Sequence, residues 1–330
     1  MTTSDLSSDA LERARAVPAV SLATLPSPVE ELVRLRSTLR GGPRLIAKRD
    51  DAIPFGFGGN KVRKLGIVAA KAIADGADAL ITIGGIQSNH ARATAATAAR
   101  LGLECYLIAN GTKPERLTAN ALLDSLLGAK VEYVASRTDR VPAMERKAEE
   151  LRRAGRKPVM VPLGASTPDG AIGFVRAVGE LLDQGVRPDV IVHATSSGGT
   201  QAGLVAGCAL HGLPTRVIGV SADDPAADVE RQVRSIIAGM TGILGPSLAD
   251  VARDATVEVD DTFVGGGYGV PTPASTEAQQ LAARTEALFV DHTYTAKALA
   301  ALIARVRDGR IAKDATVVFW HTGGQVGLFA

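Results

Sequence analysis

Short apolar runs rich in Ile and Val recur along the chain, and between them lie longer stretches in which Ala, Leu and charged residues fall at helical spacing. The first pattern predicts buried strands and the second amphipathic helices. Strands are expected at RLIAK (44–48), ALITIG (79–84), CYLIA (105–109), KVEYV (130–134), PVMVP (158–162), DVIVHA (189–194), RVIGVS (216–221) and TVVFW (316–320). Helices are expected at HARATAATAARLG (90–102), AMERKAEELRRAG (143–155), FVRAVGELLDQG (174–185) and AKALAALIARVRDG (296–309), each closed by a glycine of the kind that ends helices. Repeated strand-helix alternation implies an α/β protein: mostly parallel sheet, helices on both faces, right-handed crossovers. No internal repeat or low-complexity linker divides the chain, but the four units between about 61 and 164 can form a compact smaller domain.

Composition narrows the function. The chain has 330 residues, 46% hydrophobic, enough for a large core. Thirty-seven basic residues face 35 acidic ones, so no net field argues for nucleic acid or a membrane surface, and 4% aromatics are too few for base-stacking platforms. A small-molecule substrate is the better expectation. Cys105 and Cys208 lie far apart and offer neither a disulfide framework nor a metal pattern, so they read as core thiols. The start, MTTSDLSSDALERARAV, lacks the apolar core of a signal peptide, and no stretch reaches the roughly 18 apolar residues of a membrane span. A soluble cytoplasmic protein is expected.

Four strand-to-helix junctions carry candidate chemistry, because ligands of open α/β sheets collect at the carboxyl ends of strands, where helix amino termini present free N–H groups. In GGIQSNHAR, Ser88 and Asn89 follow Gly84 and Gly85; taken alone they read first as a helix cap and only second as a ligand site. In ATSSGGTQAGL, residues Ser196, Ser197, Gly198, Gly199 and Thr200 can wrap amides and hydroxyls around a phosphate, although the loop is neither a Walker loop nor a GxGxxG fingerprint, and a tight structural turn explains it as well. In FWHTGG, His321 reads as a packed or surface residue rather than a catalyst and Thr322 as a ligand contact or a turn. Finally PFGFGGNKVRKL sets Lys61 at the mouth of a helix, with Arg63 and Lys64 expected as ordinary surface or domain-contact charges. A phosphate loop without a nucleotide motif, together with a lysine on a glycine-rich approach, suggests pyridoxal 5'-phosphate, whose aldehyde forms an imine with a lysine amine.

Taken together, KRDD (48–51), GGNKVRKL (58–65), GGIQSNHAR (84–92), SGGTQAGL (197–204), YGVP (268–271), DHTYTAKAL (291–299) and HTGG (321–324) resemble the 1-aminocyclopropane-1-carboxylate deaminase and D-cysteine desulfhydrase family of tryptophan synthase β-like pyridoxal phosphate enzymes. The resemblance implies a two-domain fold, with a large cofactor-binding domain from 1–60 and 165–330, a small domain over 61–164, and a homodimer. It implies that Lys61 is the Schiff-base lysine, that Asn89 bonds the cofactor's ring hydroxyl, and that Ser88, Asn89 and His90 surround a substrate carboxylate. It further implies that Ser197, Gly198, Gly199 and Thr200 hold the phosphate, that Tyr268 and Tyr294 are active-site tyrosines, and that Thr322 lies near the ring nitrogen.

The family's reactions divide at the window HTYTAK. Members that open the cyclopropane resemble VYEGK, with a glutamate near the ring nitrogen, where this chain has Thr295. A carboxylate keeps that nitrogen protonated and deepens the electron sink, whereas a hydroxyl does so poorly. Thr295 therefore favours β-elimination of a good leaving group, most naturally from D-cysteine to give pyruvate, ammonia and hydrogen sulfide. L-cysteate sulfo-lyase, D-serine-type dehydratase and cyclopropane deaminase activities are the alternatives, and a non-enzymatic binder of a phosphorylated metabolite is the alternative of a different class. Three departures from the family pattern stand out: Ser196 in place of a glycine, His292 and Thr293 before the tyrosine, and Phe55 and Phe57, which are positioned to narrow the substrate cleft.

Overall fold

All eight apolar runs form strands in the computed structural model, which describes residues 3–253 and 255–330, and two further strands join them. In chain order they are β1 (Val29–Glu31), β2 (Arg44–Arg49), β3 (Ala79–Gly85), β4 (Glu104–Asn110), β5 (Lys130–Val134), β6 (Pro158–Val161), β7 (Val190–Thr195), β8 (Arg216–Ser221), β9 (Glu258–Asp260) and β10 (Thr316–His321). Their order makes two sheets. A six-stranded sheet runs β1-β2-β10-β7-β8-β9 and is parallel except for β1, which pairs antiparallel with β2. A four-stranded, wholly parallel sheet runs β5-β4-β3-β6. The two strands the pattern did not announce, β1 and β9, are three residues long, rich in acid, and lie at the edges, where no apolar run is needed.

Side-chain alternation along the central strands sends residues to opposite faces, and each face is covered by helices. On β10, Val318 and Trp320 join the cluster built by the helices Pro168–Asp183, Gly199–Leu210 and Ala226–Leu244, whereas Val317 and Phe319 join the cluster under Thr295–Arg307. The small sheet does the same: Leu80 packs toward the Lys61–Ala74 and Asn89–Leu101 helices, while Ala79 and Ile81 pack toward Arg140–Arg153. Cys105 and Cys208 are buried, unpaired thiols, and burial pushes both up to about 12. Among the described residues no helix is long and apolar enough to cross a membrane.

One expectation is corrected here. Arg63 and Lys64 are not solvated charges: Arg63 is 7% and Lys64 1% exposed. Lys61, Arg63 and Lys64 all lie in the first turn of the Lys61–Ala74 helix, which packs between the core of the small sheet and the Pro168–Asp183 helix. The Arg63 Nε donates to both Asp50 oxygens at 3.0 and 2.9 Å, and its two terminal nitrogens donate to Glu180 at 2.9 and 2.8 Å. Ser27 Oγ also donates to Asp50, at 2.9 Å, and Trp320 Nε1 donates to it at 2.8 Å from β10. Lys48 of β2 completes the cluster through Glu180, the Ser27 carbonyl and Gln184. Burial acts to raise the pKa of Glu180, but bonds from Arg63 and Lys48 outweigh it and hold the carboxyl below its ordinary value.

A buried charge left without its partner costs far more than the pair contributes. Arg63→Met should therefore destabilise the chain by about 3–5 kcal/mol, measured by urea unfolding. Arg63→Lys should recover little of it, since an ammonium cannot reproduce the planar fork that serves Asp50 and Glu180 together. An Arg63→Lys protein as stable as the parent would show that the fork geometry is unimportant.

Candidate active site

The carboxyl ends of strands from both sheets converge on one cavity of about 180 Å³. Lys61 and Asn60 reach it from the loop after β2, Ser88, Asn89 and His90 from β3, Thr195 to Thr200 from β7, and Thr322 from β10. Tyr268 and Tyr294 line it from the carboxyl-terminal third of the chain. The structure thus brings together Lys61, Ser88, Asn89, His90, Ser197, Gly198, Gly199, Thr200, Tyr268, Tyr294 and Thr322.

Lys61 is a buried amine. Burial, and next the charge of Arg92, lower its pKa from 10.5 to about 8, against a smaller pull upward from Asp291. Its Nζ lies 5.8 Å from the Tyr294 ring centroid. The Tyr294 hydroxyl is 2.7 Å from that of Tyr268, and burial raises the pKa of both phenols, so the pair stays protonated at neutral pH.

The loop after β7 is built to receive an anion. It opens the Gly199–Leu210 helix, whose first-turn amides have no intrahelical acceptor. Gly199 and Gly164 are required by close approach: a Cβ on Gly199 would stand 2.6 Å from Ser166 Oγ, and one on Gly164 2.2 Å from Ser197 Oγ. Ser166 Oγ sits 2.8 Å from Ser197 Oγ and accepts from the Gly199 amide at 3.2 Å, joining the loop after β6 to the loop after β7. Lys64 Nζ donates to the same Ser166 hydroxyl at 3.2 Å, and burial, then the neighbouring Lys61, drive its pKa well below the ordinary value. Thr195 Oγ1 and Asn60 Oδ1 are buried at the cavity without hydrogen-bond partners. Orphaned donors and acceptors, a helix amino terminus and two buried lysine amines side by side fit the phosphate and the aldehyde of pyridoxal phosphate.

The junction after β3 does two jobs. Ser88 caps the Asn89–Leu101 helix, accepting from the Ala91 amide at 3.2 Å, and still faces the cavity. Asn89 Oδ1 accepts from Asn120 Nδ2 at 2.9 Å, which leaves the Asn89 amide nitrogen for the cavity. Asn120 is held in turn by Arg92, whose guanidinium also binds the carbonyls of Gly56 and Gly58 on the approach to Lys61. The His90 ring turns away: Thr82 donates to the Val161 carbonyl, so its hydroxyl accepts from His90 Nε2 at 2.7 Å and Nδ1 is left bare. Burial, then the charges of Lys64 and Lys61, hold His90 neutral, so its side chain brings no positive charge to a carboxylate.

Several sequence expectations lie elsewhere. Thr295 does not line the cavity; its Oγ1 donates to Asp291 at 2.7 Å at the start of a helix. Phe55 packs on the core of the small sheet and Phe57 is 60% exposed with φ 63°, so neither narrows the cleft. His292 lies in a turn off the cavity wall, and His321 is a packed residue whose ring binds the Phe289 carbonyl and the Gly323 amide. Conversely, Asn60, Thr195, Arg137, Arg140, Asp223 and Asp224 line the cavity without a sequence signal that marked them, and Lys64, expected as an ordinary charge, lines it too. The spacing of Lys64 three residues after Lys61 was the available signal, since such residues share a helix face.

Comparison with known proteins gives the family and the fold. The family model described as pyridoxal-phosphate dependent enzyme matches residues 20–323. The chain is 38% identical over 322 residues to a D-cysteine desulfhydrase of Salmonella choleraesuis (strain SC-B67), covering 95% of this chain and 96% of that protein. The crystal structure of an ACC deaminase homologue superposes with a TM-score of 0.89 at 32% identity, covering 97% of this chain and 96% of the other. Threonine deaminase isoform 2 from Solanum lycopersicum shares the fold, with a TM-score of 0.70 at 18% identity over 97% of this chain and 84% of its own.

Burial of Lys61 has a measurable cost in the cofactor-free chain. Its folded pKa of about 8 lies below the unfolded 10.5, so the folded state binds fewer protons between those values and stability rises with pH across that window. The lysine's penalty is full below the folded pKa and disappears above the unfolded one. Lys61→Met should therefore be more stable than the parent at neutral pH, and the gap should narrow by about 3 kcal/mol on going to alkaline pH. Paired urea titrations of both proteins measure this; a gap independent of pH would mean that the amine is hydrated.

Proposed function

The chain belongs to the family of pyridoxal-phosphate dependent enzymes, and from that membership we propose that it is a lyase performing β-elimination on a small amino acid, with D-cysteine converted to pyruvate, ammonia and hydrogen sulfide. The cofactor supplies an electron sink conjugated to the substrate's α-carbon. The chain's own residues then divide the remaining work. Lys61 carries the cofactor and, once released from it, removes the α-proton; an amine with a pKa of about 8 is free base in useful amount near neutral pH. The amino-terminal turn of the Asn89–Leu101 helix, with Ser88 and the Asn89 amide, binds the substrate carboxylate. Lys64, Ser197, Thr200 and the glycine turn at Gly198 and Gly199 hold the phosphate. The hydrogen-bonded Tyr268 and Tyr294, whose second ring lies beside Lys61, present a protonated hydroxyl pair suited to meeting the departing group.

The observation that carries the reaction type is the state of Asp291. Its two oxygens accept from the amides of Thr293, Tyr294 and Thr295 and from the Thr295 hydroxyl, so its charge is spent on the turn before a helix. Thr322 lines the cavity from the end of β10, and of the two carboxylates on the cavity wall, Asp223 and Asp224, the first is paired with Arg137. A shallow sink suffices to expel a good β-leaving group and serves ring opening poorly. The same reading takes the two sheets as two domains with boundaries near 61 and 164 and the site between them. It also includes a homodimer and a reduced, cytoplasmic setting that suits two free thiols.

Holoenzyme given D-cysteine should release pyruvate and sulfide in equal amounts. Lys61→Ala should lose about 10²–10⁴-fold in rate together with the absorption band at the visible edge. Parallel assays with L-cysteine, cysteate, D-serine and 1-aminocyclopropane-1-carboxylate complete the test; vigorous deamination of the cyclopropane alone would overturn the reading.

A further inference from the structure

Lys297 is a fully buried lysine that the chemistry above does not use. It lies in the first turn of the Thr295–Arg307 helix, three residues after Tyr294. Its Nζ donates to three backbone carbonyls, those of Ala222 at 3.2 Å, Val264 at 2.8 Å and Gly267 at 2.9 Å. A neutral amine has two N–H donors and an ammonium three, so the full set of bonds requires the charged form. Burial works against that form, while Asp223 and then Asp291 favour it through space. Backbone dipoles supply its direct contacts.

All three carbonyls belong to segments that border the cavity. Ala222 follows β8 and precedes Asp223 and Asp224, whereas Val264 and Gly267 belong to VGGGYG (264–269), the loop that carries Tyr268. That loop runs from β9 to the Pro273–Glu286 helix without regular structure of its own. Gly265, Gly267 and Gly269 take φ values of 65°, 118° and 76°, which other residues rarely adopt. Glycine loses the most conformational freedom when a backbone is fixed, so such a loop needs bonds from outside to hold one shape. Lys297 supplies two of them. The peptide unit that joins Gly267 to Tyr268 is held at both ends: its carbonyl accepts from Lys297, and its N–H donates to Asp223 Oδ1 at 3.0 Å.

We propose that Lys297 is a positioning residue whose ammonium fastens the Tyr268 loop to the start of the helix that carries Tyr294, and so sets the two phenols at bonding distance in the cavity. One side chain spans both elements: its stem leaves the helix one turn from Tyr294, and its head grips the backbone immediately before Tyr268. The inference rests on the reading in which the tyrosine pair meets the departing group, and deepens it by naming what holds the pair together.

Two measurements test it. In the cofactor-free chain, Lys297→Met keeps the apolar stem and removes the three donors. Hydrogen exchange of the amides over 262–270 should then speed up about tenfold or more, while amides around the Arg63 cluster keep their parent rates. In holoenzyme, turnover is compared for Lys297→Met, Tyr268→Phe and the double variant, on D-cysteine or whichever of the compounds assayed above the parent eliminates. Lys297→Met should lower kcat about tenfold or more, keep the absorption band at the visible edge, and cost less than about twofold when introduced into Tyr268→Phe. Lys297→Gln, with two donors, should fall between, and it replaces Lys297→Met if that variant does not fold. Unchanged exchange in the loop overturns the assignment, as do losses that multiply in the double variant or turnover that needs Tyr268 but ignores Lys297. If the loop loosens and neither single variant slows turnover, the tether stands and the role given to the tyrosine pair falls; in a parent that eliminates none of the compounds, exchange alone decides.

Discussion

The pairing of Arg63 with Asp50 is the constraint on which the site depends. A guanidinium and a carboxylate, both buried, tie the first turn of the Lys61–Ala74 helix to the end of β2, and Glu180 and Trp320 extend the tie to the helix and strand behind it. Such a cluster is weak evidence for net stability, because desolvation offsets much of the attraction. Its value lies in register. Lys61 is two residues from Arg63, so a helix that slipped or rotated would leave charges unpaired in the core before it could misplace the reactive amine.

Electrostatics at the site follow from the same economy of partners. Lys61 and Lys64 share one helix face in a dry place, and the charge of Lys61 adds to burial in lowering the pKa of Lys64. Lys64 finds its outlet in the Ser166–Ser197 hydroxyl pair beside a helix amino terminus. Arg92, also buried, adds positive potential toward Lys61 while bonding the carbonyls of the glycine approach and, through Asn120, fixing Asn89. One side chain therefore holds the loop before the lysine and the turn at Ser88 and Asn89 in a common frame.

Much of this was legible in the chain. Continuous apolar runs marked every central strand, and the glycine- and hydroxyl-rich junctions marked the cavity because backbone amides can approach a ligand only where side chains are small. What escaped depended on contacts distant in sequence. Arg63 and Lys64 look like any basic pair until Asp50, Glu180 and Ser166 are brought against them. Thr295 was placed on the cofactor by its position in a motif, yet its hydroxyl is claimed four residues back by Asp291. Arg137 and Arg140 carried no glycine to draw notice, although they too follow the carboxyl end of a strand.

That strand, β5, lies at the outer edge of the four-stranded sheet. The loop after it touches the cavity, yet it belongs to neither the buried charge cluster nor the anion cradle. Substitutions at half-exposed positions of this kind seldom disturb folding. The architecture thus separates what must be kept from what can vary: a residue at the rim can be altered while the lysine and its mooring stay intact.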